Sequence, residues 1–138
     1  MIVCRPRADY RRGWKVSAAF NVSQQDVAPL ELFREQIGCG TIRSAGNDGW
    51  YLEVNRLDDI RLSVVPFFRR FPLVGRKAVD FDLFEAAVAI LAKGTLTDDE
   101  YRGVLQLREL LNRGGKRRYT MERILRDYTP NSSGSLGR

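Results

Sequence analysis

The stretch from residue 14 to residue 22 alternates strictly between two kinds of side chain. The apolar set comprises Trp14, Val16, Ala18, Phe20 and Val22, and the polar or small set comprises Lys15, Ser17, Ala19 and Asn21. This period of two is typical of a strand with one buried face. Such a strand needs a layer packed against its apolar side, so the pattern predicts a sheet covered on one face.

Three further segments have the composition of strands and complete two hairpins. Residues 1–7 precede the alternating stretch, and residues 41–43 and 50–55 flank the turn Ala45-Gly46-Asn47-Asp48-Gly49. That turn favours a tight hairpin, and in residues 50–55 Trp50, Leu52 and Val54 are expected to point inward. The predicted fold class is α+β, with a four-stranded antiparallel sheet and helices packed on one face.

Helical patterns occupy most of the remaining chain. Helices are predicted after a capping-box-like Ser23–Asp26 pair, over residues 57–70 and after the capping box Thr97-Asp98-Asp99-Glu100. The segment 71–91 begins as a loop, passes through Gly75-Arg76-Lys77 and becomes a helix. Its expected buried stripe comprises Phe81, Phe84, Val88 and Leu91. A short helix is expected over residues 120–128. Residues 1–128 are predicted to form one domain and residues 129–138 a flexible tail.

Composition limits the chemistry and the partners. The chain has 138 residues, and 23 Lys and Arg against 17 Asp and Glu give a net charge of +6. This excess favours a nucleic acid or another anionic surface. The absence of histidine excludes His-based triads and His-ligated zinc sites. Cys4 and Cys39 are too few for a disulfide framework and are predicted to be core residues. No signal peptide or membrane-spanning run is evident, which favours an intracellular protein, cytoplasmic or organellar.

The second face of the predicted sheet carries side chains suited to duplex DNA. The candidate DNA-binding residues are Arg5, Arg7, Lys15, Ser17, Asn21, Thr41, Arg43, Tyr51, Glu53 and Asn55. These residue types bind phosphates and base edges, and a twisted β-ribbon fits the major groove. A solvated sheet face is also polar, however, so both interpretations stay open on the residues alone.

Four landmarks follow one another over residues 1–113. They are YRRGWKVSAAFNVSQQD (10–26), FREQIGCGTI (33–42), VVPFFRRFPLVGRKAVDF (64–81), and the pairs Leu96-Thr97, Leu107-Arg108 and Leu111-Asn112. Their order and spacing resemble those of the intron-encoded LAGLIDADG homing endonucleases in their single-motif form. The resemblance implies a saddle-shaped sheet on double-stranded DNA. It also implies a homodimer paired through a first helix, whose LAGLIDADG motif ends in an acidic residue that holds Mg²⁺.

The sequence departs from that pattern at its beginning. It starts at Met1-Ile2-Val3-Cys4, where the first strand of the family is already running. The motif helix and its Mg²⁺ ligand are therefore missing, and the resemblance predicts a fold lacking the first helix. The apolar residues that this helix would cover are expected to form an exposed patch, covered by another helix or a partner chain. Alternatively, Met1 lies within a longer reading frame.

Three residues match catalytic positions of the family, and each also has a simpler interpretation. Gln24 corresponds to a polar residue that orders water near the metal, although it could instead cap a helix. Arg76 and Lys77 fall at the basic position near the scissile phosphate, although they could simply begin an amphipathic helix. Trp14 and Tyr51 are expected to be core and sheet residues.

The resemblance favours a homing-endonuclease-like protein that binds a long specific DNA site, with Mg²⁺-dependent hydrolysis in intact family members. The loss of the metal ligand makes cleavage by this chain doubtful. The first alternative is a non-catalytic nucleic-acid-binding module, such as an intron-RNA splicing cofactor or a regulator. The second is an interaction domain that has lost nucleic-acid binding.

Overall fold

The computed structural model describes residues 1–7, 12–46, 49–111 and 121–126. The strands are β1 (Ile2–Pro6), β2 (Trp14–Ala18), β3 (Phe20–Gln24), β4 (Thr41–Ser44) and β5 (Trp50–Val54). The helices are α1 (Val27–Ile37), α2 (Leu57–Asp59), α3 (Val65–Arg70), α4 (Arg76–Leu91), α5 (Asp98–Leu111) and α6 (Met121–Arg126). This order confirms the predicted α+β class.

The sheet differs from the prediction in one respect. In the described part of the chain, five strands form two antiparallel sheets, a β1–β2 pair and a three-stranded sheet ordered β3-β5-β4. The division falls at Ala19, because the chain pairs with β1 before this residue and with β5 after it. The Ala19 amide donates to the Met1 carbonyl at 2.8 Å, and Ala19 itself is buried. The predicted single strand over residues 14–22 is therefore two strands with different partners.

The inner faces of both sheets contribute to one hydrophobic core. From β2 and β5, Trp14 and Leu52 are fully buried, as the alternating pattern predicts. Helices α4 and α5 pack against each other and supply further core residues, namely Phe84, Ala87, Val88, Tyr101, Val104 and Leu105. The predicted stripe on α4 is thus corrected at its ends, where Phe81 and Leu91 are only half-buried.

Residues 57–70 form the predicted helix, but its middle is wider than an α-helix. A π-helical turn spans Ile60–Val64, and the Val65 amide donates to the Ile60 carbonyl, five residues earlier. Pro66 follows immediately. Proline cannot donate a hydrogen bond, and its ring presses against the carbonyl four residues before it, here Leu62. A wider turn at this point relieves that conflict.

The two predicted capping boxes have opposite outcomes. Thr97 and Glu100 form the reciprocal pair, because the Thr97 amide donates to Glu100 Oε1 at 2.9 Å and the Glu100 amide donates to Thr97 Oγ1 at 3.1 Å. The Ser23–Asp26 box is wrong. Ser23 belongs to β3, and Asp26 precedes α1 without a side-chain cap bond. The chain uses this segment to extend a sheet strand before the helix begins.

Cys4 and Cys39 are free, the first buried and the second half-buried. Within the described ranges, no helix is both long and apolar enough to span a bilayer. The predicted tail at residues 129–138 lies outside the described residues.

Candidate nucleic-acid interface

The outward face of the three-stranded sheet is built from two cross-strand rows. In the first row, Glu53 of β5 lies between Asn21 of β3 and Thr41 of β4. In the second row, Tyr51 lies between Ser23 and Arg43. These positions alternate with the core residues of the same strands, so the period of two places both rows on one face. The three strands thus present hydroxyl, amide, carboxylate and guanidinium groups side by side.

The β1–β2 pair adds a concentrated positive charge. Arg5 lies directly opposite Lys15 in the register, and both side chains are exposed. Like charges at directly opposed positions repel each other and destabilise a ribbon. Among the described residues, neither has an acidic partner to relieve that repulsion. The pair is therefore well suited to an anion such as a phosphate.

The remaining candidates of this pair and of β5 lie near these groups. Ser17 is half-buried opposite Val3. Arg7 follows β1 and is exposed, and its amide donates to the Gly13 carbonyl at 2.9 Å. Asn55 is exposed immediately after the end of β5. All ten candidate residues thus fall on, or directly after, the strands predicted to carry them.

Arg43 and Glu53 form an ion pair across β4 and β5. Arg43 Nε donates to Glu53 Oε1 at 2.6 Å. The hydrogen bond and the charge of Glu53 raise the pKa of the Arg43 guanidinium. The Arg43 side chain is 55% exposed and that of Glu53 is 20% exposed. The cation is therefore oriented by a partner that is itself held within the sheet.

A groove of about 340 Å³ opens between β3 and the helices. Its lining is mostly apolar, with polar groups from three residues, Asn21, Lys77 and Asp80. The apolar lining comprises Met1, Phe20, Val22, Phe68, Leu73, Phe81, Phe84 and Leu111. The sequence analysis expected an exposed apolar patch, and this groove is an apolar-lined opening at the surface.

Residues 2–88 match the family model described as LAGLIDADG endonuclease. The chain belongs to the LAGLIDADG endonuclease family. No curated protein matches it significantly.

Solved structures support the same fold for this LAGLIDADG family member. The homing endonuclease I-TnaI is 26% identical, with a TM-score of 0.76, and the match covers 91% of this chain and 84% of I-TnaI. The archaeal intron-encoded endonuclease I-Vdi141I, complexed with DNA, is 20% identical and has a TM-score of 0.82, over 99% of this chain and 87% of I-Vdi141I. The meganuclease I-SmaMI, bound to uncleavable DNA, is 25% identical with a TM-score of 0.73, and the match covers 83% of this chain but 40% of I-SmaMI.

The three predicted catalytic residues do not share one pocket. Lys77 lines the apolar groove beside Asn21. Arg76, one residue earlier, is exposed, and its Nε donates to Asp80 Oδ1 at 3.2 Å. Gln24 lies at the end of β3, in a separate depression of about 330 Å³. The structure thus places Lys77 in the groove beside Asn21 of β3, and Gln24 in a different depression at the end of the same strand.

Trp50, the cross-strand partner of Gln24, is more exposed than the sequence predicted. It pairs with Gln24 in the register and is 38% exposed, although the alternation of β5 predicted an inward side chain. Trp50 is the first residue of β5, directly after Gly49, and its side chain lines an open depression together with the α1 residues Val27 and Glu31. The proximity of Trp50 to the turn at residues 45–49 is the sequence feature that could have indicated this exposure.

The residues of the described ranges do not fit a Mg²⁺ site. No group of three His, Cys, Asp or Glu side chains in that part of the chain converges closely enough to hold a metal ion. The paired acids of α2 and α5 occupy first helical turns, where the helix dipole stabilises them. The described residues therefore supply no ligand set for metal-dependent hydrolysis.

Proposed function

We propose that this chain binds a long specific site on double-stranded DNA through the outward face of its two sheets. The observation that carries the proposal is the Arg5–Lys15 pair, two opposed and exposed cations. Lys15 lies on β2, which continues through Ala19 into β3, the strand that carries part of both polar rows. Phosphate contacts supply affinity and base-edge contacts supply specificity. This face offers both kinds of group at once.

The DNA complexes of relatives support the same proposal. I-SmaMI has been seen on uncleavable DNA and I-Vdi141I has been seen in complex with DNA. The chain spans about two fifths of I-SmaMI. The activity of the whole I-SmaMI protein is therefore only proposed for this chain. A duplex DNA partner implies an intracellular place of action, cytoplasmic or organellar.

We further propose that phosphodiester cleavage would require carboxylates from outside the described residues. Mg²⁺-dependent hydrolysis needs acidic ligands to hold cations on the attacking and leaving oxygens, and no such group is assembled here. A homodimer or another chain covering the apolar groove is the arrangement most consistent with its lining. Within this arrangement Lys77, at the groove edge, is the cation best placed to face a phosphate.

The salt dependence of duplex binding tests the proposal. Each Lys or Arg that neutralises a phosphate contributes about 0.9 to the slope of log affinity against log salt concentration. Arg5→Ala and Lys15→Ala should each weaken binding and reduce the slope by roughly one. Arg61→Ala is the matched control, since Arg61 is exposed on the helical side and pairs with Asp58. Equal losses in all three variants would contradict a DNA-facing sheet.

The lack of an assembled metal site among the described residues favours one alternative, a non-catalytic nucleic-acid-binding module such as an intron-RNA splicing cofactor or a regulator. Competition between a labelled DNA duplex and a structured intron RNA separates the two functions. RNA that displaces the duplex at much lower concentration than unlabelled duplex does would favour the splicing role.

A further inference from the structure

Arg43 is a cation of the outward face that an acidic neighbour, Glu53, holds in one orientation. Register places Arg43 opposite Tyr51 and Thr41 opposite Glu53, so Arg43 and Glu53 are diagonal neighbours on adjacent strands. Their contact, Nε to Oε1, is 2.6 Å long. Arg5 and Lys15, in contrast, face each other, and no acid of the described residues pairs with either.

The contact uses one edge of the guanidinium and leaves the other accessible. A guanidinium has five N–H donors in a planar fork, and Glu53 engages the one on Nε. The two terminal nitrogens retain four donors, and the side chain is 55% exposed. The Glu53 carboxylate therefore fixes the plane of the Arg43 guanidinium, and the two terminal nitrogens of the guanidinium remain accessible to a ligand.

The same carboxylate makes a phosphate an unsuitable ligand for Arg43. A phosphate approaching Arg43 would lie close to the negative charge of Glu53, and that repulsion offsets part of the attraction. A neutral group with two adjacent acceptors carries no such penalty. In the major groove of DNA, the O6 and N7 atoms of guanine form such a pair, whereas adenine presents a donor in place of O6.

We propose that Arg43 is a specificity-determining residue that recognises one guanine in the major groove, and that Glu53 is its positioning residue. This inference rests on the proposed function, because it assigns a base to a face that binds DNA. Thr41, Asn21 and Tyr51 surround the pair and are available to contact neighbouring bases or phosphates. An oriented arginine loses less side-chain freedom on binding than a mobile one, which favours a geometrically specific contact.

Selection from a library of randomised DNA duplexes tests the inference with four proteins. They are the unmodified chain, Arg43→Lys, Glu53→Gln and the control Asp58→Asn. Arg43→Lys keeps the charge and removes the fork. Glu53→Gln removes the orienting carboxylate, and Asp58→Asn makes the same charge change on the partner of Arg61, at a distance from the sheet.

The unmodified chain should select guanine at one position over other bases by roughly 5- to 150-fold, the range for a bidentate arginine contact. Arg43→Lys should reduce that preference, because an ammonium can donate to O6 and N7 but lacks the planar fork. Glu53→Gln should also reduce it at the same position while preferences elsewhere persist. Asp58→Asn should leave every preference unchanged.

The outcomes separate the inference from the proposed function. Failure of the unmodified chain to enrich any duplex overturns the proposed function and the inference with it. Enrichment in which Glu53→Gln strengthens binding equally at every sequence overturns the inference alone. In that case the pair is a surface ion pair that merely neutralises Arg43. Thermal unfolding of each variant confirms that all four proteins are folded during the selection.

Discussion

The phenolic hydroxyl of Tyr101 donates a hydrogen bond to the main-chain carbonyl of Trp14, 3.0 Å away. Both side chains are almost completely buried. The bond connects helix α5 to the beginning of β2, and thus connects the helical layer to the ribbon that carries Lys15. We expect the orientation of the β1–β2 pair, which carries Arg5 and Lys15, to depend on this contact in the core.

Tyr101→Phe should lower the free energy of unfolding by about 1–2 kcal/mol, because it removes a buried donor while keeping the ring. Urea denaturation followed by circular dichroism measures the change. Tyr51→Phe is the matched control. Because Tyr51 is half-buried on the sheet surface, this change should alter the free energy of unfolding by no more than about 0.5 kcal/mol. Equal effects of the two changes would show that the Tyr101 bond contributes little.

Arg12 provides a second connection between the ribbon and α5. It is buried, its Nη2 donates to the Leu96 carbonyl at 2.5 Å, and it lies 3.4 Å from Asp98 Oδ1. Its guanidinium is 4.9 Å from the centre of the Tyr101 ring. The residue thus joins the end of the β1–β2 connection to the first turn of α5.

Arg12→Met should destabilise the protein by about 1–3 kcal/mol. Breaking a buried ion pair leaves its partner uncompensated, although Asp98 is 23% exposed and regains some hydration. Arg61→Met, at an exposed pair, should cost less than about 1 kcal/mol. A double-mutant cycle with Asp98→Asn isolates the pair, and strict additivity would show that Arg12 acts through packing alone.

The two cysteines should differ strongly in reactivity. Burial raises the pKa of the Cys4 thiol from 9.0 to about 11, with smaller opposing effects of Arg108 and Glu109. Burial also raises the pKa of Cys39, which is only half-buried. At pH 8 a pKa of about 11 leaves Cys4 with about a hundredfold less thiolate than a thiol of pKa 9.0. Since Cys4 is also buried and Cys39 is only half-buried, iodoacetamide should label Cys39 first. Peptide mass spectrometry measures both rates. Equal labelling of the folded protein would contradict the burial of Cys4.

The pH dependence of stability follows from the same shift. The pKa of Cys4 is raised from 9.0 in the unfolded chain to about 11 in the folded protein. Its contribution to the free energy of unfolding is therefore fully present below about pH 9 and is lost as the pH rises towards 11, where only the unfolded chain has released the proton. Cys4→Ser should therefore flatten the alkaline limb of the stability profile.

Local patterns predicted the features that depend on neighbouring residues. The period of two assigned the inner faces of the strands, and Thr97 and Glu100 form the expected capping box. A helix was expected to follow the loop and Gly75-Arg76-Lys77, and α4 begins within that segment, at Arg76. In each case the physical cause lies within a few residues of its effect.

Features that depend on distant partners were not predictable in this way. Nothing near Ala19 indicates that the chain changes sheets there, because the change depends on where β1 and β5 lie. The burial of Arg12 depends on Leu96 and Tyr101, far along the sequence. The separation of Gln24 from Lys77 likewise follows from packing between β3 and the helices.

Alanine variants of Gly40 and Gly38 allow the cost of a steric clash to be measured apart from the cost of backbone strain. Both have positive φ, 104° at Gly40 and 77° at Gly38, so alanine is strained at either position. A Cβ at Gly40 would lie 2.8 Å from Leu52 Cδ1 and 3.3 Å from the Glu53 carbonyl, whereas one at Gly38 would meet nothing within 4 Å. Gly38→Ala should therefore cost about 1 kcal/mol.

Gly40→Ala should cost about 2–4 kcal/mol, because the clash with the core residue Leu52 and the strand backbone adds to the strain. Since β5 carries Tyr51 and Glu53 on its opposite face, a displaced strand should also weaken the DNA binding proposed for that face. Urea denaturation and duplex affinity of the two variants measure both effects. Equal destabilisation by the two alanines would show that β5 moves away from Gly40 at negligible cost.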